Sequence, residues 1–270
     1  MRASSTARGT RAPHCVDVAL PPALCPRGTV PAGAAAAAVT RLLDHFLLEH
    51  GLASPAPAPA PPRSAQLRAQ AAMRLQHACT VHSGAVRRVL FLAGAARTRP
   101  LAALLVDLRD VPLTPAGADA PTAGSTEVAA LGDRIARHAL LSLYQSRSSY
   151  GVQELPARTR VHVLVCTTAA VSAPMAQDGW LALAGASYDA ALPFTACREA
   201  PVVLRFQRPP LMSPSPMPPA QAVFICCDDG EVVSTSGSSV CKEEQHAQEQ
   251  EQQEQEQCIW WEVPEVLRGG

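Results

Sequence analysis

Residues 87–113 read RRVLFLAGAARTRPLAALLVDLRDVPL, and this stretch predicts the centre of the fold. Val89 to Leu92 form an unbroken apolar run, and a second apolar run extends from Leu101 to Leu108. A short continuous apolar run bounded by turn signals is typical of a strand buried on both faces, although periodicity alone leaves a buried helix open. Gly94 and Pro100 lie between the runs and favour a turn. The stretch therefore predicts a buried β-hairpin with a structural role.

Three other stretches predict helices. The segment from Ala32 to His50 is rich in alanine, the strongest helix former, and its larger apolar residues recur at helical spacing. Gly51 follows as the predicted C-cap. The segment from Ser64 to His82 predicts a second helix capped by Ser64. A third helix is predicted to begin at Glu127, with Thr126 as its N-cap and the acidic side chain at the positive end of the helix dipole.

Several strands are predicted after the third helix. Arg160 to Thr168 is a β-branched run typical of a central strand, and Trp180 to Tyr188 and Pro201 to Phe206 are further candidates. The chain ends in an apolar segment, Cys258 to Pro264, which we expect to be docked because undocked termini are poorly ordered. The order of elements predicts an α+β fold, with three helices packed on a largely antiparallel sheet.

Composition indicates one domain with long inserts. The chain has 270 residues, of which 47% are hydrophobic, but much of that fraction is alanine and only 4% is aromatic. The 25 prolines indicate unpacked stretches, so we expect one domain of about 180 ordered residues. Residues 1–15 are predicted to be a flexible arm and residues 16–270 a single domain. Disordered inserts are predicted at 53–63, 114–125 and 209–257, which are rich in proline or in Glu and Gln.

Charge and cysteine content restrict the classes of partner. The 23 basic and 23 acidic residues balance, so we predict neither nucleic acid nor an anionic membrane as a partner. No apolar run reaches the roughly 18 residues of a spanning helix. The N-terminus has no apolar core of a secretory signal, although its composition leaves an organelle transit peptide open. The nine cysteines show no repeating frame and indicate reduced thiols in the nucleus or cytosol.

Little in the sequence predicts catalysis. It has neither a G-x-S-x-G motif nor a phosphate-binding P-loop, so we predict that the chain is not an enzyme and has no cofactor. His77, Cys79 and His82 could approach a metal ion, but surface histidines beside a packed thiol are the simpler interpretation. Cys226 and Cys227 are adjacent, and neighbours on a strand point to opposite faces. We expect both to be structural, with a cysteine-dependent enzyme as the remaining alternative.

Several segments occur in an order that resembles a known family. They are LLDHFLLEHG (42–51), RRVLFLAGA (87–95), LLVDL (104–108), RHALLSLYQ (137–145), DGWLALAGASY (178–188), VVLRF (202–206) and CIWWEVPEVLRG (258–269). Their order and the terminal Ile-Trp-Trp segment with its proline resemble the comet-type Mad-two-binding proteins, HORMA-fold adaptors that silence the spindle assembly checkpoint. The chain departs from that family in its alanine- and proline-rich spacers and in the insertion at 209–257.

The resemblance implies a function as well as a fold. It implies a HORMA-like domain with a C-terminal safety-belt-type strand segment. It also implies an adaptor that binds the closed conformer of Mad-two, blocks its dimerisation, and presents it to an AAA+ remodelling ATPase that dismantles the mitotic checkpoint complex. The implied location is the nucleus and cytoplasm, with the spindle and kinetochore in mitosis. The alternative within the same fold is a HORMA scaffold that binds a peptide ligand in meiosis or autophagy.

Partner-binding residues are implied in the same way. Tyr144 aligns with an aromatic of the family's third helix, and Glu49 falls near a polar contact after the first helix. Aromatic residues are enriched at interface centres, but a core position for Tyr144 is the alternative. Three basic residues of the third helix are the predicted rim of the interface: Arg134, Arg137 and His138. Three residues form the strand expected to fill the slot that a ligand peptide takes in Mad-two: Ile259, Trp260 and Trp261.

Overall fold

The computed structural model describes residues 12–25, 28–53, 63–115, 125–146, 154–156, 159–183, 197, 199–208, 258–264 and 267–268. These residues contain four α-helices: α1 (Ala32–Glu49), α2 (Arg63–Val81), α3 (Ser125–Ser146) and α4 (Ser172–Gln177). They also contain ten strands: β1 (His14–Ala19), β2 (Val30–Pro31), β3 (Val86–Ala96), β4 (Arg99–Asp107), β5 (Leu113–Thr114), β6 (Arg160–Thr168), β7 (Leu181–Ala182), β8 (Val202–Gln207), β9 (Cys258–Glu262) and β10 (Leu267–Arg268).

Most of these strands form one mixed sheet. Its order is β1-β8-β4-β3-β6-β9-β7, and β10 pairs with β6. β8 runs parallel to β1 and to β4, whereas the other neighbouring pairs in this sheet are antiparallel. β2 and β5 form a separate parallel pair. The predicted α+β class is confirmed, since helices and a large sheet share one core.

The hairpin predicted at the centre of the fold is formed by β3 and β4. Its turn consists of Arg97 and Thr98, because Arg99 already pairs with the end of β3. The prediction that Gly94 and Pro100 form the turn is wrong, since they face each other across the hairpin at a register irregularity. A Cβ on Gly94 would lie 2.9 Å from Pro100 Cα, so the close approach of the two strands requires glycine there.

Both faces of the central strands are buried, which explains their continuous apolar runs. One face packs against the helices and includes Val89, Phe91, Val106, Val163 and Val165. The opposite face carries a second cluster that includes Leu90, Leu92, Leu105, Leu164, Val203 and Trp260. The predicted burial of the hairpin on both faces is therefore confirmed.

Helix α1 is central to the helical layer, because it packs against both α2 and α3. It ends as the sequence predicts. Gly51 has a φ of +67°, its N–H donates to the Leu48 oxygen at 3.1 Å, and the Leu52 N–H donates to the Leu47 oxygen at 2.8 Å. This pair of bonds is a Schellman motif, which satisfies carbonyls that the helix end leaves unpaired.

The starts of two helices and of the first strand differ from the predicted positions. Helix α2 begins at Arg63 and α3 at Ser125, so Ser64 and Thr126 lie inside their helices rather than before them. The flexible arm was predicted to extend to residue 15, yet β1 begins at His14 and pairs in parallel with β8. The alternation of buried Val16 and Val18 with exposed neighbours is a strand pattern that the surrounding Gly and Pro residues obscured.

The remaining segments differ in how far the structure describes them. Besides the three predicted helices the described residues include α4, whose sequence SAPMAQ is too short to show a helical period. Of the strand predicted from Trp180 to Tyr188, only β7 is seen, and residues 184–188 lie outside the described residues. The strand predicted from Pro201 corresponds to β8. The predicted inserts at 53–63, 114–125 and 209–257 lie almost entirely outside the described residues.

Candidate protein-interaction surface

Tyr144 is the centre of an exposed surface between α1 and α3. Its side chain is 52% exposed, so it is not a core aromatic. Its Oη lies 3.1 Å from His45 Nε2 on α1, and the two rings meet edge to face at 5.7 Å. The same His45 nitrogen lies 3.6 Å from Glu49 Oε2. The structure thus brings Tyr144 and Glu49, both predicted from sequence, to one histidine that the sequence analysis did not single out.

Two further exposed apolar residues, both leucines, lie on the same two helices. Leu141 on α3 is 53% exposed, and Leu48 near the end of α1 is 43% exposed. We call Leu48, Leu141 and Tyr144 the α1–α3 patch. Leu141 precedes Tyr144 by three residues and therefore lies on the same side of α3. The helical period could have predicted Leu141, since Ala139 and Leu143 lie on the buried face.

The three basic residues of α3 do not share one environment. Arg134 and Arg137 are exposed, as the predicted rim requires. His138 is half-buried, and its Nε2–H donates a hydrogen bond to the backbone oxygen of Ala19 at 2.9 Å. This bond joins α3 to the end of β1. His138 is therefore less exposed than the sequence analysis expects, and its role at the rim stays a prediction.

An exposed ion pair also joins the two helices. Arg41 on α1 donates from Nε to Asp133 Oδ1 on α3 at 2.7 Å. The hydrogen bond and the charge of Asp133 raise the pKa of Arg41. Both side chains are substantially exposed, so the pair contributes little to stability.

The C-terminal strand is docked, as predicted, and its residues differ in depth. Ile259 is half-buried, whereas Trp260 and Trp261 are only 2% and 3% exposed, on opposite faces of the sheet. β9 lies between β6 and β7. Trp261 Nε1 donates to Thr167 Oγ1 of β6 at 3.0 Å. The hydrogen bond and the ladder on both sides hold the strand in one register.

Glu262 adds a charged contact at the end of β9. Its Oε2 accepts a hydrogen bond from Arg97 Nη1 at 2.7 Å, and its Oε1 accepts one from His162 Nδ1 at 2.6 Å. His162 and Glu262 are both buried, so the pair is shielded from water. Sequence reasoning missed this cluster because its members are at least 65 positions apart along the chain, and no local pattern connects them.

Of the candidate metal ligands and cysteines, the three on α2 make structural contacts, and the two adjacent cysteines lie outside the described residues. Cys79 points into the core, and burial raises the pKa of its thiol to about 12, which makes it inert at neutral pH. His77 and His82 instead contact Asp178, each with Nε2 at 3.2 Å from Oδ2. Among the described residues no group of three metal-ligating side chains could hold an ion. Cys226 and Cys227 lie outside the described residues.

Comparisons with known proteins add no assignment. No protein-family model matches the chain, and no curated protein matches it. No helix in the described part of the chain is long and apolar enough to cross a membrane. The inference of function therefore starts from the α1–α3 patch, where an aromatic and two leucines are exposed beside two arginines.

Proposed function

We propose that this chain is an adaptor that binds the closed conformer of the spindle-checkpoint protein Mad-two through the α1–α3 patch. In this proposal the bound adaptor blocks further dimerisation of Mad-two and presents the closed form to an AAA+ remodelling ATPase. The result is disassembly of the mitotic checkpoint complex and silencing of the checkpoint. The protein then acts in the nucleus and cytoplasm, and at the spindle and kinetochore in mitosis.

We also propose that the α+β fold is a HORMA-like domain. Helices α1, α2 and α3 beside a mixed sheet support this assignment, as does the central β3–β4 hairpin. In the family that the sequence resembles, the C-terminal strand fills the slot that a ligand peptide takes in Mad-two. The docking of β9 between β6 and β7 agrees with such a pseudo-ligand role for Ile259, Trp260 and Trp261.

The observation that carries the functional proposal is the exposure of the α1–α3 patch. Three of the six exposed large apolar side chains among the described residues are Leu48, Leu141 and Tyr144, and they lie on two helices that pack together. Apolar groups gathered on adjacent helices of a folded protein indicate a binding surface. Tyrosine is also one of the residue types most enriched among interface hot spots.

Tyr144 is held in place before any partner binds. The contact with His45 restrains its ring, and the backbone of both helices supports the two side chains. A pre-organised aromatic loses little conformational entropy when it is buried by a partner. This restraint supports Tyr144 as the anchor of the interface, with Glu49 acting through His45.

Arg134 and Arg137 favour a partner with a complementary acidic rim. Both are exposed on the same helix as Tyr144, about two turns (Arg137) and about three turns (Arg134) before it. Charges at the edge of an interface chiefly increase the rate of association and are screened by salt. We therefore expect these arginines to affect the association rate more than the dissociation rate.

The burial of β9 argues against the alternative of a peptide-binding scaffold in meiosis or autophagy. That function requires β9 to leave the sheet so that a ligand strand can replace it. Its departure would expose Trp260 and Trp261 and break the hydrogen bond to Thr167. Exposing two buried indoles would remove a large part of the hydrophobic stabilisation of the fold. We therefore propose the adaptor rather than the peptide-binding scaffold.

The first test is co-elution of the purified chain with closed Mad-two and with an open-locked variant on a sizing column. We expect a complex with the closed form only. Tyr144→Ala should weaken this complex by about 2 kcal/mol, or about 30-fold in Kd, because it truncates a hot-spot aromatic. Isothermal titration calorimetry measures the change.

Val81→Ala on α2 is the matched control, since Val81 is 59% exposed but lies outside the α1–α3 patch. It should bind closed Mad-two like the wild type, and circular dichroism should show both variants folded. Unchanged affinity of a folded Tyr144→Ala variant would remove Tyr144 from the interface. Failure of the wild type to bind either form would overturn the proposed function.

A further inference from the structure

β1 is the last strand on one side of the sheet, and its outer side is open. It contains six residues, and among the described strands it pairs with β8 alone. The N–H groups of His14 and Leu20 donate to backbone oxygens beside the two ends of β8, at 2.8 and 3.2 Å. The even-numbered residues therefore direct their backbone groups toward β8. Successive residues of a strand alternate in this direction, so the backbone groups of Cys15, Asp17 and Ala19 point away from the sheet.

Helix α3 packs along β1 and closes one end of this open edge. His138 Nε2–H donates to the outward oxygen of Ala19 at 2.9 Å. Within the described part of the chain, no group forms a hydrogen bond with the outward N–H and C=O groups of Cys15 and Asp17. Both residues are exposed, so an incoming strand can pair with four backbone groups that the fold leaves open.

The charge on the α3 side of the edge is positive. Arg134 precedes His138 by four residues and therefore lies on the same side of the helix. Arg134 and Arg137 are exposed, and neither makes an ion pair or a hydrogen bond within the part of the chain that the structure describes. The neighbouring Asp133 is already bonded to Arg41 of α1. An extended segment beside β1 therefore gains from acidic side chains that face α3.

The face of β1 that points away from the helices is balanced in charge. Asp17 lies opposite Arg205 of β8, and both side chains are exposed. Val16 and Val18, by contrast, are buried in the core on the helix side. Because the side chains of a strand alternate between the two faces, a segment that pairs with β1 should carry acidic residues on its α3 side and uncharged residues between them.

A second copy of this chain is a poor occupant of the edge. Antiparallel pairing of β1 with its own copy brings two Asp17 carboxylates to the same or adjoining positions of one face, where like charges repel. It also brings together two α3 helices that carry exposed arginines. An extended peptide of another protein avoids both penalties. Addition of such a peptide to a sheet edge is a common mode of recognition, in which the backbone supplies affinity and alternate side chains supply specificity.

We propose that β1 binds an acidic, extended segment of a partner protein by strand addition. The outward N–H and C=O groups of Cys15 and Asp17 pair with the backbone of that segment, and Arg134 contacts its acidic side chains. His138 closes the far end of the edge and so limits how much of β1 the segment can cover. Tyr144 contacts α1, whereas His138 contacts β1, so the strand site and the anchor of the proposed Mad-two interface lie on different sides of α3.

The test is a titration of the full chain with a labelled peptide, Glu-Thr-Val-Thr-Val-Thr-Glu, followed by fluorescence anisotropy and by amide hydrogen exchange. A matched peptide has Lys in place of both Glu residues. We expect saturable binding of the Glu peptide and at least about fivefold weaker binding of the Lys peptide. The bound Glu peptide should slow hydrogen exchange at the amides of Cys15 and Asp17. The amides of Val16 and Val18 already pair with β8 in the free protein and should change little.

Asp17→Pro removes an outward N–H without removing a bond to β8, so it should weaken binding of the Glu peptide by about tenfold or more. Asp17→Ala keeps that N–H and is the matched control. It should bind at least as tightly as the wild type, because it also removes a negative charge. Circular dichroism and continued protection of the Val16 and Val18 amides show that β1 stays folded in both variants.

Arg134→Glu should weaken binding of the Glu peptide by about fivefold, whereas Arg99→Glu, at an exposed position of the hairpin, should leave it within about twofold of wild type. Absence of saturable binding, equal binding of the two peptides, or wild-type affinity of Asp17→Pro would each overturn the proposal. A dimer of the free chain that already protects the Cys15 and Asp17 amides would also overturn it. Mad-two is absent from this experiment, so its outcome is independent of the proposed function.

Discussion

The ionised carboxylate of Asp44 on α1 destabilises the folded state. Burial raises the pKa of its carboxyl above the ordinary 3.8, and the charges of Arg68 and Arg41 only partly oppose this effect. The ion pairs are long, at 3.6 Å to Arg68 and 4.0 Å to Arg41, so they do not restore the lost hydration. A raised pKa in the folded state means that the fold favours the protonated carboxyl.

We predict that Asp44→Asn raises the free energy of unfolding at pH 7 by up to about 1 kcal/mol, because a neutral amide avoids the cost of a partly buried charge. At pH 7 the wild-type carboxyl is ionised in both states, so it carries the full penalty. As pH falls through the raised folded pKa and then below the unfolded value near 3.8, the carboxyl becomes protonated in both states and the penalty disappears. Urea unfolding of both proteins at pH 7 and pH 3 measures the difference.

The prediction fails if the difference in unfolding free energy between Asp44→Asn and wild type is the same at both pH values. Such a result would mean that the amide changes packing rather than charge. It also fails if the variant is less stable at pH 7, because the ion pairs with Arg68 and Arg41 would then outweigh desolvation.

At the residue scale, the sequence predicts local chemistry better than long-range contacts. Gly51 could be predicted as a C-cap because the helix and its glycine are neighbours in sequence. His45 could not, since its contact with Tyr144 depends on how two helices pack. The cluster of Glu262 with Arg97 and His162 depends on three strands meeting, and nothing near any one of the three indicates the other two.

At the element scale, the closest helix packing is that of α1 against α3. It depends on Gly132, where a Cβ would lie 2.5 Å from the Ala37 Cβ and 2.7 Å from the Ala34 oxygen. Small residues on both helices permit this approach. The alanine-rich segment of α1 therefore has a packing role in addition to its helix propensity.

We predict that Gly132→Ala lowers the free energy of unfolding by about 2 kcal/mol, because the added methyl group must push α3 away from α1. The higher helix propensity of alanine offsets only part of this loss, about 1 kcal/mol. Thermal and urea unfolding measure the change. Under the proposed function, binding to closed Mad-two should also weaken, since both helices contribute to the α1–α3 patch.

Gly84→Ala is the control for this substitution. A Cβ on Gly84 meets no atom within 4 Å, so alanine there should be neutral or slightly stabilising. Equal stability of the Gly132→Ala and Gly84→Ala variants would show that the helices separate without cost, contrary to the packing argument.

The sequence predicted the long elements more reliably than the short ones. The hairpin, three helices and β6 have periods or apolar runs long enough to be recognised. α4, which was not predicted, contains six residues, and β2 and β5, also not predicted, contain two each, which are too few for any period. The hairpin turn was misplaced because Gly94 and Pro100 are turn-forming residues that here sit opposite each other within the strands.

At the scale of the whole molecule, the sheet is completed by distant parts of the chain. β8 inserts between β1 and β4 and runs parallel to both, and β9 joins from the C-terminal end. Strand order of this kind depends on crossover connections, which leave no periodic signal. The sequence could predict that the C-terminal segment is docked, from its large apolar residues, but not its neighbours or its register.

The two tryptophans of β9 provide a test of how that docking supports the whole fold. Both are almost fully buried, but Trp261 donates to Thr167, which is itself fully buried, whereas Trp260 Nε1 has no hydrogen-bond partner among the described residues. Substitution by Phe removes a similar volume at both positions. It breaks a hydrogen bond at Trp261 and removes an unsatisfied donor at Trp260. The difference in unfolding free energy between the two variants therefore measures the effect of the hydrogen bond rather than that of the lost side-chain volume.

We predict that Trp261→Phe lowers the free energy of unfolding by about 2 kcal/mol more than Trp260→Phe does. Because a single domain tends to unfold in one cooperative step, the loss should appear as a lower urea midpoint of the whole transition, with an unchanged slope. Thr167→Val should lower the free energy of unfolding of the wild type. It should lower that of the Trp261→Phe variant by much less, since the hydrogen bond is already lost there. Equal costs for the two tryptophan variants, or additive costs with Thr167→Val, would show that β9 is held by apolar burial and backbone pairing alone.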